Sequence, residues 1–470
     1  MMSFFKKPAG PTPIVFYNTL GRKKEEFKPL SGRNIKMYTC GPTVYDYVHI
    51  GNLRSFVFAD LLRRTLEYSG YEVKQVMNIT DVGHLVGDGD GGEDKMTAGL
   101  KREAKALTLE NMKELAEHYA TLFIDDLAKL NVETPFTLPR ASEHVAEQIA
   151  FIATLLQKGY AYQTDDGIYF DVGKFPAYGI LGGDASALHS RIGVSAEKHD
   201  PRDFSLWKKD AHLGWDSPWG KGFPGWHIEC TAMSTKYLGK SFDIHTGGID
   251  LIPIHHNNEI AQAEAVSGKP YVKYWMHGAF ITIEGKRIGK SEGNAIRLYQ
   301  LTERGVHPLS YRYLLLTAHY RQTMNFTWEA LEAAQTARER LLRFFADLPL
   351  GGLINSVYRA RFEAALYDDL NTAEAIAVLW ELVKDEKVSP EDKRATLADF
   401  DRILGIGLGT VPAVGEKLSV VPDEVKALVK KREEARKEKR FSDADVLRDE
   451  IKAHGFEVDD TPTGQVVRGG

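Results

Sequence analysis

The stretch Asn34-Ile35-Lys36-Met37-Tyr38-Thr39 runs into Cys40-Gly41-Pro42 and then, over residues 52–68, into Asn-Leu-Arg-Ser-Phe-Val-Phe-Ala-Asp-Leu-Leu-Arg-Arg-Thr-Leu-Glu-Tyr. The first part alternates polar and apolar residues, which predicts a strand, and Cys40-Gly41-Pro42 ends it. The second part has an apolar face at helical spacing and stops before Gly70. A second strand is predicted over residues 72–79. Strand, helix and strand in this order predict a parallel, Rossmann-like α/β sheet.

Outward from this unit, the pattern changes several times along the chain. A helical stretch at 101–130 leads into helix and short turn-rich strands at 139–201, which we interpret as an insertion. Strand-like runs return at 242–245 and 279–283. Amphipathic runs at 331–350, 357–384 and 390–404 then predict a helical bundle. A glycine- and proline-containing linker follows at 405–422, and the last segment is predicted as two helices and a short apolar tail.

These changes divide the chain into six predicted segments. They are a first half of the Rossmann-like domain (17–117), an inserted domain (118–201), the second half of the Rossmann-like domain (202–284), a segment that begins with a glycine-studded basic loop (285–327), a helical bundle (328–408) and a small C-terminal module (409–470).

The bulk composition is that of a globular protein without a basic excess. The formal net charge is −5 and the pI about 6.3, so any nucleic-acid surface must be local. Cys40 and Cys230 are the two cysteines, which gives no sign of a disulfide scaffold. The first residues resemble no signal peptide and no window resembles a membrane span, so we expect a cytoplasmic protein.

Two charged segments have competing interpretations. The run Gly87-Asp88-Gly89-Asp90-Gly91-Gly92 has the spacing of a dinucleotide fingerprint, but its aspartates would repel a pyrophosphate. It also lacks the glycine and glutamate that a calcium loop needs, so an acidic surface loop is favoured. The basic run at 426–440 is explained by a solvated helix face, while contact with RNA phosphates stays open.

Two segments could bind a nucleotide. His49-Ile50-Gly51-Asn52 lies where the first strand gives way to the helix, and helix N-termini favour phosphate oxygens. His49 and Asn52 can donate hydrogen bonds, and Gly51 leaves room for a flat base or ribose. The glycine-studded basic loop 284–294 contains Lys290, whose charge could stabilise a departing pyrophosphate. By themselves, these segments are better explained as a helix cap or core histidine and as a basic surface turn.

Four residues have the chemistry of a zinc site. Cys40 ends the first strand, and Cys230 lies at the predicted start of another helix. His255 and Glu259 are four residues apart, so one helical turn would point both in the same direction. Two thiolates, one imidazole and one carboxylate form a tetrahedral zinc set. Spacing alone cannot show that the four meet, because a lone cysteine is usually a small core residue.

Taken together, these segments resemble the cysteinyl-tRNA synthetase family. The run 39–52 resembles its opening signature, which joins a zinc cysteine to the class I His-Ile-Gly-His motif. Asn78-Ile79-Thr80-Asp81, the run 224–230 ending in Cys230, and the segment from His255 to Glu259 also match, in the family's order. The similarity extends from about residue 17 to residue 463.

The resemblance implies a set of site residues and ligands. Zn²⁺ would be bound by Cys40, Cys230, His255 and Glu259, with the thiolate of L-cysteine as a further ligand. The cysteine pocket would contain Gly41, Thr80, Trp226 and His245. ATP, with Mg²⁺, would be held by His49, Gly51, Asn52 and Lys290. The reaction would form cysteinyl-adenylate and transfer the cysteinyl group to tRNA(Cys), and the protein would be a monomer.

The chain departs from the family pattern in three places. Arg287-Ile288-Gly289-Lys290-Ser291 replaces Lys-Met-Ser-Lys-Ser, which keeps the charge but places glycine in the loop. Asn52 replaces the last histidine of the first motif. The tail at 464–470 lacks the aromatic and basic ending expected of the family, which leaves its part in anticodon reading open.

Three alternatives remain beside this interpretation. The cysteine ligase of mycothiol synthesis has a similar fold and zinc site, but its helical C-terminal region is reduced, whereas a long one is predicted here. A non-catalytic paralogue would not need His49, Lys290 and all the ligand candidates, although the altered loop would suit it. A purely structural zinc protein would not need the ATP motifs.

Overall fold

The computed structural model describes residues 12–83, 94–182, 197–288, 293–411, 422–438, 440–461 and 464–469. The described chain forms two compact units. The first contains residues 1–335 and 362–377, and the second contains 336–361 and 378–470. The six-segment division made from the sequence stays a prediction.

The elements are numbered here in chain order. The strands are β1 Val15–Asn18, β2 Lys23–Glu26, β3 Asn34–Thr39, β4 Glu72–Met77, β5 Ala161–Gln163, β6 Gly167–Phe170, β7 Phe204–Lys209, β8 Gly222–Pro224, β9 Phe242–Gly248, β10 Val272–Gly278, β11 Ile281–Ile283, β12 Lys286–Arg287, β13 Met324–Phe326, β14 Phe456–Thr461 and β15 Gly464–Gly469. The α-helices are α1 Ile50–Tyr68, α2 Lys95–Arg102, α3 Leu109–Lys129, α4 Val145–Gln157, α5 Trp226–Leu238, α6 Asn257–Ser267, α7 Leu298–Glu303, α8 Pro308–Leu316, α9 Trp328–Asp347, α10 Ser356–Tyr367, α11 Thr372–Lys384, α12 Pro390–Leu404, α13 Asp423–Lys437 and α14 Phe441–Ala453.

A parallel four-stranded sheet is the centre of the first unit. Its strand order is β10-β9-β3-β4, and each neighbouring pair is parallel. The predicted β3–α1–β4 unit is confirmed, although β4 ends at Met77 instead of residue 79. Since parallel strands end at one edge of the sheet, the residues after β3 and β4 come together. Cys40 and Thr80 therefore lie at this edge.

The predicted insertion contributes β5 and β6 to an antiparallel sheet of order β5-β6-β7-β8. Its core is aromatic, with Phe170 and Phe204 stacked at 4.9 Å between ring centroids and Trp207 fully buried. Two of its strands, β7 and β8, follow residue 201 in the chain. The insertion therefore shares its sheet with residues that lead directly into α5.

The amphipathic run at 357–384 is helical as predicted, and the structure divides it into two helices, α10 and α11. Asp369 and Leu370 between them have φ of +62° and +56°. The buried Asp369 carboxylate accepts hydrogen bonds from Tyr17 N at 2.8 Å, Tyr320 Oη at 2.7 Å and Arg321 Nε at 2.8 Å. Aspartate tolerates the left-handed conformation better than most residues, and these bonds stabilise it here.

Two buried charged residues hold α1 in place. The Arg54 guanidinium donates to four backbone carbonyl oxygens, those of Ala279, Phe280, His319 and Gln322, at 2.6–3.2 Å. Asp60, in the same helix, pairs with Arg312 at 2.6 Å and Arg64 at 2.8 Å. These contacts fix the start of α1, where the His49 segment lies.

The segment predicted as a short apolar tail contains two paired antiparallel strands, β14 and β15. In the second unit, Val425 of α13, Ile451 of α14 and Val458 of β14 form one small apolar cluster. The segment around the adjacent residues Val466 and Val467 is too short for its pattern to distinguish a strand from an irregular tail. None of the helices in the described part of the chain is long and apolar enough to cross a membrane.

Candidate active site

The structure brings the four predicted zinc ligands together. Cys40 follows β3, Cys230 lies in α5, and His255 and Glu259 lie before and within α6. The ligand atoms of these residues all lie within 4.8 Å of one another. Cys230, His255 and Glu259 are buried, and Cys40 is partly exposed. This set of two thiols, an imidazole and a carboxylate fits the coordination chemistry of zinc.

The helical turn that pairs His255 with Glu259 is not a regular α-helical turn. Residues Ile252–His256 form a π-helix that continues into α6. The two side chains nevertheless face each other, and His255 Nε2 lies 3.1 Å from Glu259 Oε1. Their predicted proximity is therefore confirmed. π-Helical turns are rare and often occur at functional sites.

A group of buried histidines surrounds these ligands. His245 Nε2 lies 2.9 Å from Glu259 Oε2, and His227 Nδ1 lies 2.9 Å from His255 Nδ1. His256 lies 3.4 Å from Cys40 Sγ through Nε2 and 2.7 Å from His277 Nε2 through Nδ1. The sequence interpretation assigned no role to His227, His256 or His277. His227 and His256 could have been identified in the sequence because they lie near predicted ligands. No sequence pattern indicated His277.

A second, overlapping group could also hold a metal ion: Cys40, His245, His256 and Glu259. The set with both cysteines fits zinc better, because it supplies two thiolates, the softer donors, where the other group supplies one.

The electrostatics of the group favour ionised ligands at two positions. Burial works to raise the pKa of Cys40, but a hydrogen bond from the Cys230 thiol and the nearby histidines lower it below its usual range. Burial likewise acts to raise the pKa of Glu259, and His245 and His255 outweigh it, so that this pKa falls to about 2. Thiolate and carboxylate are the forms that bind metals.

The predicted cysteine pocket is spread around this group. The Trp226 ring lies 4.2 Å from the His255 ring between centroids, and Gly41 directly follows Cys40. The Thr80 hydroxyl donates to Glu229 Oε1, and Asn78 Nδ2 donates to both. His245 is fully buried against Glu259. Asn78 and Glu229 were not singled out in the sequence, although both lie within matched motifs.

Gly41 leaves no room for a side chain. A Cβ atom built on Gly41 would lie 1.6 Å from the Asn78 carbonyl oxygen. We therefore expect Gly41→Ala to displace the Cys40–Gly41 backbone and to lower the free energy of unfolding by about 3 kcal/mol, the upper range for overpacking. Urea unfolding followed by tryptophan fluorescence measures this.

Gly278→Ala is the matched control, because its Cβ would meet only the Phe58 ring, with Cδ1 nearest at 3.6 Å. Equal losses of stability in the two variants would contradict the proposed close approach at Gly41.

The predicted ATP residues lie at the start of α1. His49 is the N-cap, and its Nδ1 accepts a hydrogen bond from Asn52 N at 3.2 Å. Asn52 Oδ1 accepts from His49 N at 3.1 Å, which completes a capping box. A Cβ on Gly51 would lie 2.8 Å from Ile288 Cδ1. Lys290, the remaining predicted ATP residue, lies outside the described residues, as does the acidic run 87–92.

We expect His49 to be neutral above about pH 5. Burial of the ring and the charge of Arg297 lower its pKa from 6.5 to about 4. The unfolded chain binds this proton near pH 6.5, so protonation of His49 disfavours the folded state as the pH falls from 6.5 to 4. Neutral His49 can accept from Asn52 N through Nδ1 and still donate through Nε2.

Histidine ring NMR of isotopically labelled protein tests this expectation, with the signal assigned by its loss in His49→Asn. The His49 resonance should keep its neutral position down to about pH 5. A midpoint near 6.5 would contradict the effect of burial.

Comparison with known proteins gives a consistent result over nearly the whole chain. Residues 26–336 match the family described as "tRNA synthetases class I (C) catalytic domain". Residues 361–407 match the DALR domain, and residues 419–468 match the cysteinyl-tRNA ligase anticodon binding domain.

Similar curated proteins carry one name. "Cysteine--tRNA ligase 1" of Burkholderia lata is 48% identical, with 97% of each chain covered. Cysteine--tRNA ligase of Treponema denticola is 41% identical over 95% of this chain and 98% of that protein. The corresponding protein of Chlorobium chlorochromatii is 41% identical over 96% of this chain and 98% of that protein.

Two solved structures share the fold at low sequence identity. Mycobacterium tuberculosis methionyl-tRNA synthetase, in complex with methionyl-adenylate, has a TM-score of 0.55 at 14% identity, covering 84% of this chain and 95% of that one. LeuRS of Agrobacterium radiobacter K84, in a ternary complex with tRNA and LeuAMS, has a TM-score of 0.60 at 11% identity, covering 82% of this chain and 85% of that one. The sequence relatives and the matched domains together show that this chain belongs to the cysteinyl-tRNA synthetase family, with the class I aminoacyl-tRNA synthetase catalytic domain.

Proposed function

We propose that this protein activates L-cysteine with ATP and transfers the cysteinyl group to tRNA(Cys), as a monomer in the cytoplasm. The observation that carries the proposal is the buried group of Cys40, Cys230, His255 and Glu259 at the edge of the parallel sheet. The names of the relatives support the same activity. In the first step, the cysteine carboxylate attacks the α-phosphorus of ATP, an oxygen–phosphorus bond forms, and pyrophosphate leaves.

We propose Zn²⁺ as the metal, a single ion per chain, held by the same four residues. Zinc would supply selectivity, because it binds a thiolate strongly and the weakly acidic hydroxyl of serine poorly. A site built around a group that competitors lack can discriminate without editing. The wall of the pocket would be Trp226, whose ring packs against His255.

The residues at the start of α1 would bind ATP. His49, Gly51 and Asn52 occupy the helix N-terminus, which favours phosphate oxygens. Neutral His49 would donate a hydrogen bond to a phosphate, while Lys290 and a Mg²⁺ ion would balance the charge of the departing pyrophosphate. Catalysis would then consist mainly of positioning and charge stabilisation, since the reacting groups belong to the two substrates.

The parts of the chain after the catalytic domain favour tRNA over an amino sugar as the acceptor. We propose that residues 328–408 and 409–470 bind tRNA(Cys), in agreement with the matched DALR and anticodon binding domains. In α13, Lys430, Lys431 and Arg436 are basic residues that could contact phosphates, in agreement with the interpretation left open by the sequence.

Exchange of labelled pyrophosphate into ATP tests the activation step. We expect exchange with L-cysteine, and at least ~10,000-fold less in kcat/KM with L-serine. Charging of a tRNA(Cys) transcript, with a non-cognate transcript as control, then tests the acceptor. Absence of exchange in folded protein that contains zinc would exclude the proposed activity.

A further inference from the structure

The Thr80 hydroxyl is held between two buried side chains that have no assigned role. Asn78 Nδ2 donates a hydrogen bond to Thr80 Oγ1 at 3.0 Å. The Thr80 hydroxyl in turn donates its proton to Glu229 Oε1. Asn78 and Glu229 are each 1% exposed, so solvent does not compete for these bonds. The orientation of the hydroxyl is therefore fixed by the protein.

This orientation leaves Thr80 with acceptor capacity alone. A hydroxyl group has one proton and two lone pairs. Glu229 takes the proton, and its oxygen can accept in either protonation state of the carboxyl group. Asn78 occupies one lone pair. Among the described residues no other partner of Thr80 Oγ1 is present, so one lone pair is available to a ligand that can only donate.

The same side chains connect Thr80 to the metal-ligand group. Glu229 Oε1 lies 3.9 Å from Cys230 Sγ, and Asn78 Oδ1 accepts from Gly41 N at 2.8 Å. In free cysteine the sulfur and the amino nitrogen are attached to adjacent carbon atoms. A cysteine whose sulfur lies among Cys40 and Cys230 would therefore have its nitrogen close to this group of side chains. Gly41 and Trp226, two residues of the predicted cysteine pocket, are partly exposed.

We propose that Asn78 and Glu229 are positioning residues that hold the Thr80 hydroxyl as an acceptor for the α-ammonium group of cysteine. The inference rests on the proposed function and adds the recognition of the amino group to it. An ammonium group has donors and no acceptor, so it suits a hydroxyl whose proton is already committed. A hydrogen bond to a charged group contributes more binding energy than one between neutral groups. A fixed orientation of the Thr80 hydroxyl therefore strengthens the binding of the ammonium group.

Two ligands separate this role from a structural one. L-cysteine carries the ammonium group, and 3-mercaptopropionate is the same molecule without it. We would titrate both into zinc-loaded wild type, Glu229→Leu and Glu229→Gln by calorimetry, with zinc content assayed in each protein. In Glu229→Leu, cysteine should bind about 10-fold to 100-fold more weakly, while 3-mercaptopropionate should change by less than about 2-fold. Glu229→Gln keeps an oxygen acceptor and should restore most of the cysteine affinity.

Thr80→Val tests whether Glu229 acts through the hydroxyl. The single variant should show the same selective loss of cysteine, and adding Glu229→Leu to it should cause little further loss. Equal weakening of both ligands, or additive losses in the double variant, would overturn the inference. Wild-type protein that binds neither ligand would instead remove the proposed function, and the inference with it.

Discussion

Cys230→Ala is expected to lose its zinc and to lower kcat/KM for cysteine-dependent pyrophosphate exchange by ~1000-fold, or about 4 kcal/mol. Cys230 is one of two thiols in the buried group, and removing it leaves one sulfur donor beside His255 and Glu259. Such a set keeps too few thiolates to retain zinc tightly or to favour a sulfur ligand. Metal analysis of the purified variant and exchange at saturating ATP measure the two effects.

The matched control is His199→Ala. Asp171, His199 and Asp203 form another group that could hold a metal, and His199 is exposed there. If the buried group binds the zinc, this variant keeps its zinc and its exchange activity. Zinc that is lost from His199→Ala and retained in Cys230→Ala would place the metal elsewhere and contradict the proposed site.

Asp60→Ala is expected to reduce the free energy of unfolding by about 3–5 kcal/mol, because it leaves the buried charge of Arg312 without its carboxylate. Asp60 and Arg312 are both nearly inaccessible, and their atoms lie 2.6 Å apart. Asp60 Oδ1 also accepts from Glu133 N at 2.8 Å, so the loss extends to a backbone bond. Urea unfolding followed by tryptophan fluorescence reports this, since all tryptophans except Trp380 lie within residues 1–335.

Asp125→Ala provides the comparison. Its pair with Lys129 is equally short at 2.6 Å, but the side chains are 55% and 44% exposed. Exposed pairs contribute little, so this variant should change stability by less than ~1 kcal/mol. Similar losses in the two variants would show that burial does not determine the contribution of these pairs.

The sequence was sufficient to predict those elements whose local pattern of apolar residues agrees with their burial in the structure. The alternation in β3 and the apolar face of α1 both follow from the periodicity of the buried residues, and both elements formed as predicted. The strand edge then brought Cys40 to the ligands of α5 and α6, which spacing alone could not establish. The family resemblance supplied that grouping before any geometry was known.

Other features depend on tertiary contacts that have no local pattern. The break at Asp369 interrupts an otherwise continuous amphipathic run, because its carboxylate is bound by Tyr17 and Tyr320 from distant parts of the chain. Glu229 was passed over because a glutamate in a helix is usually exposed. Its burial becomes evident only once Asn78 and Thr80 are seen to lie against it.

Because Arg54 anchors α1 through backbone oxygens, the side chains around it can change without loss of the anchor. All four acceptors of its guanidinium are main-chain oxygens, which every amino acid carries. Changes of side chain at residues 279, 280, 319 and 322 therefore leave the anchor intact, provided that the chain follows the same path. Lysine at position 54 could not replace the arginine, since it lacks the planar fork that reaches several oxygens at once. One arginine thus allows the surrounding loops to vary while the N-terminal end of α1 stays fixed.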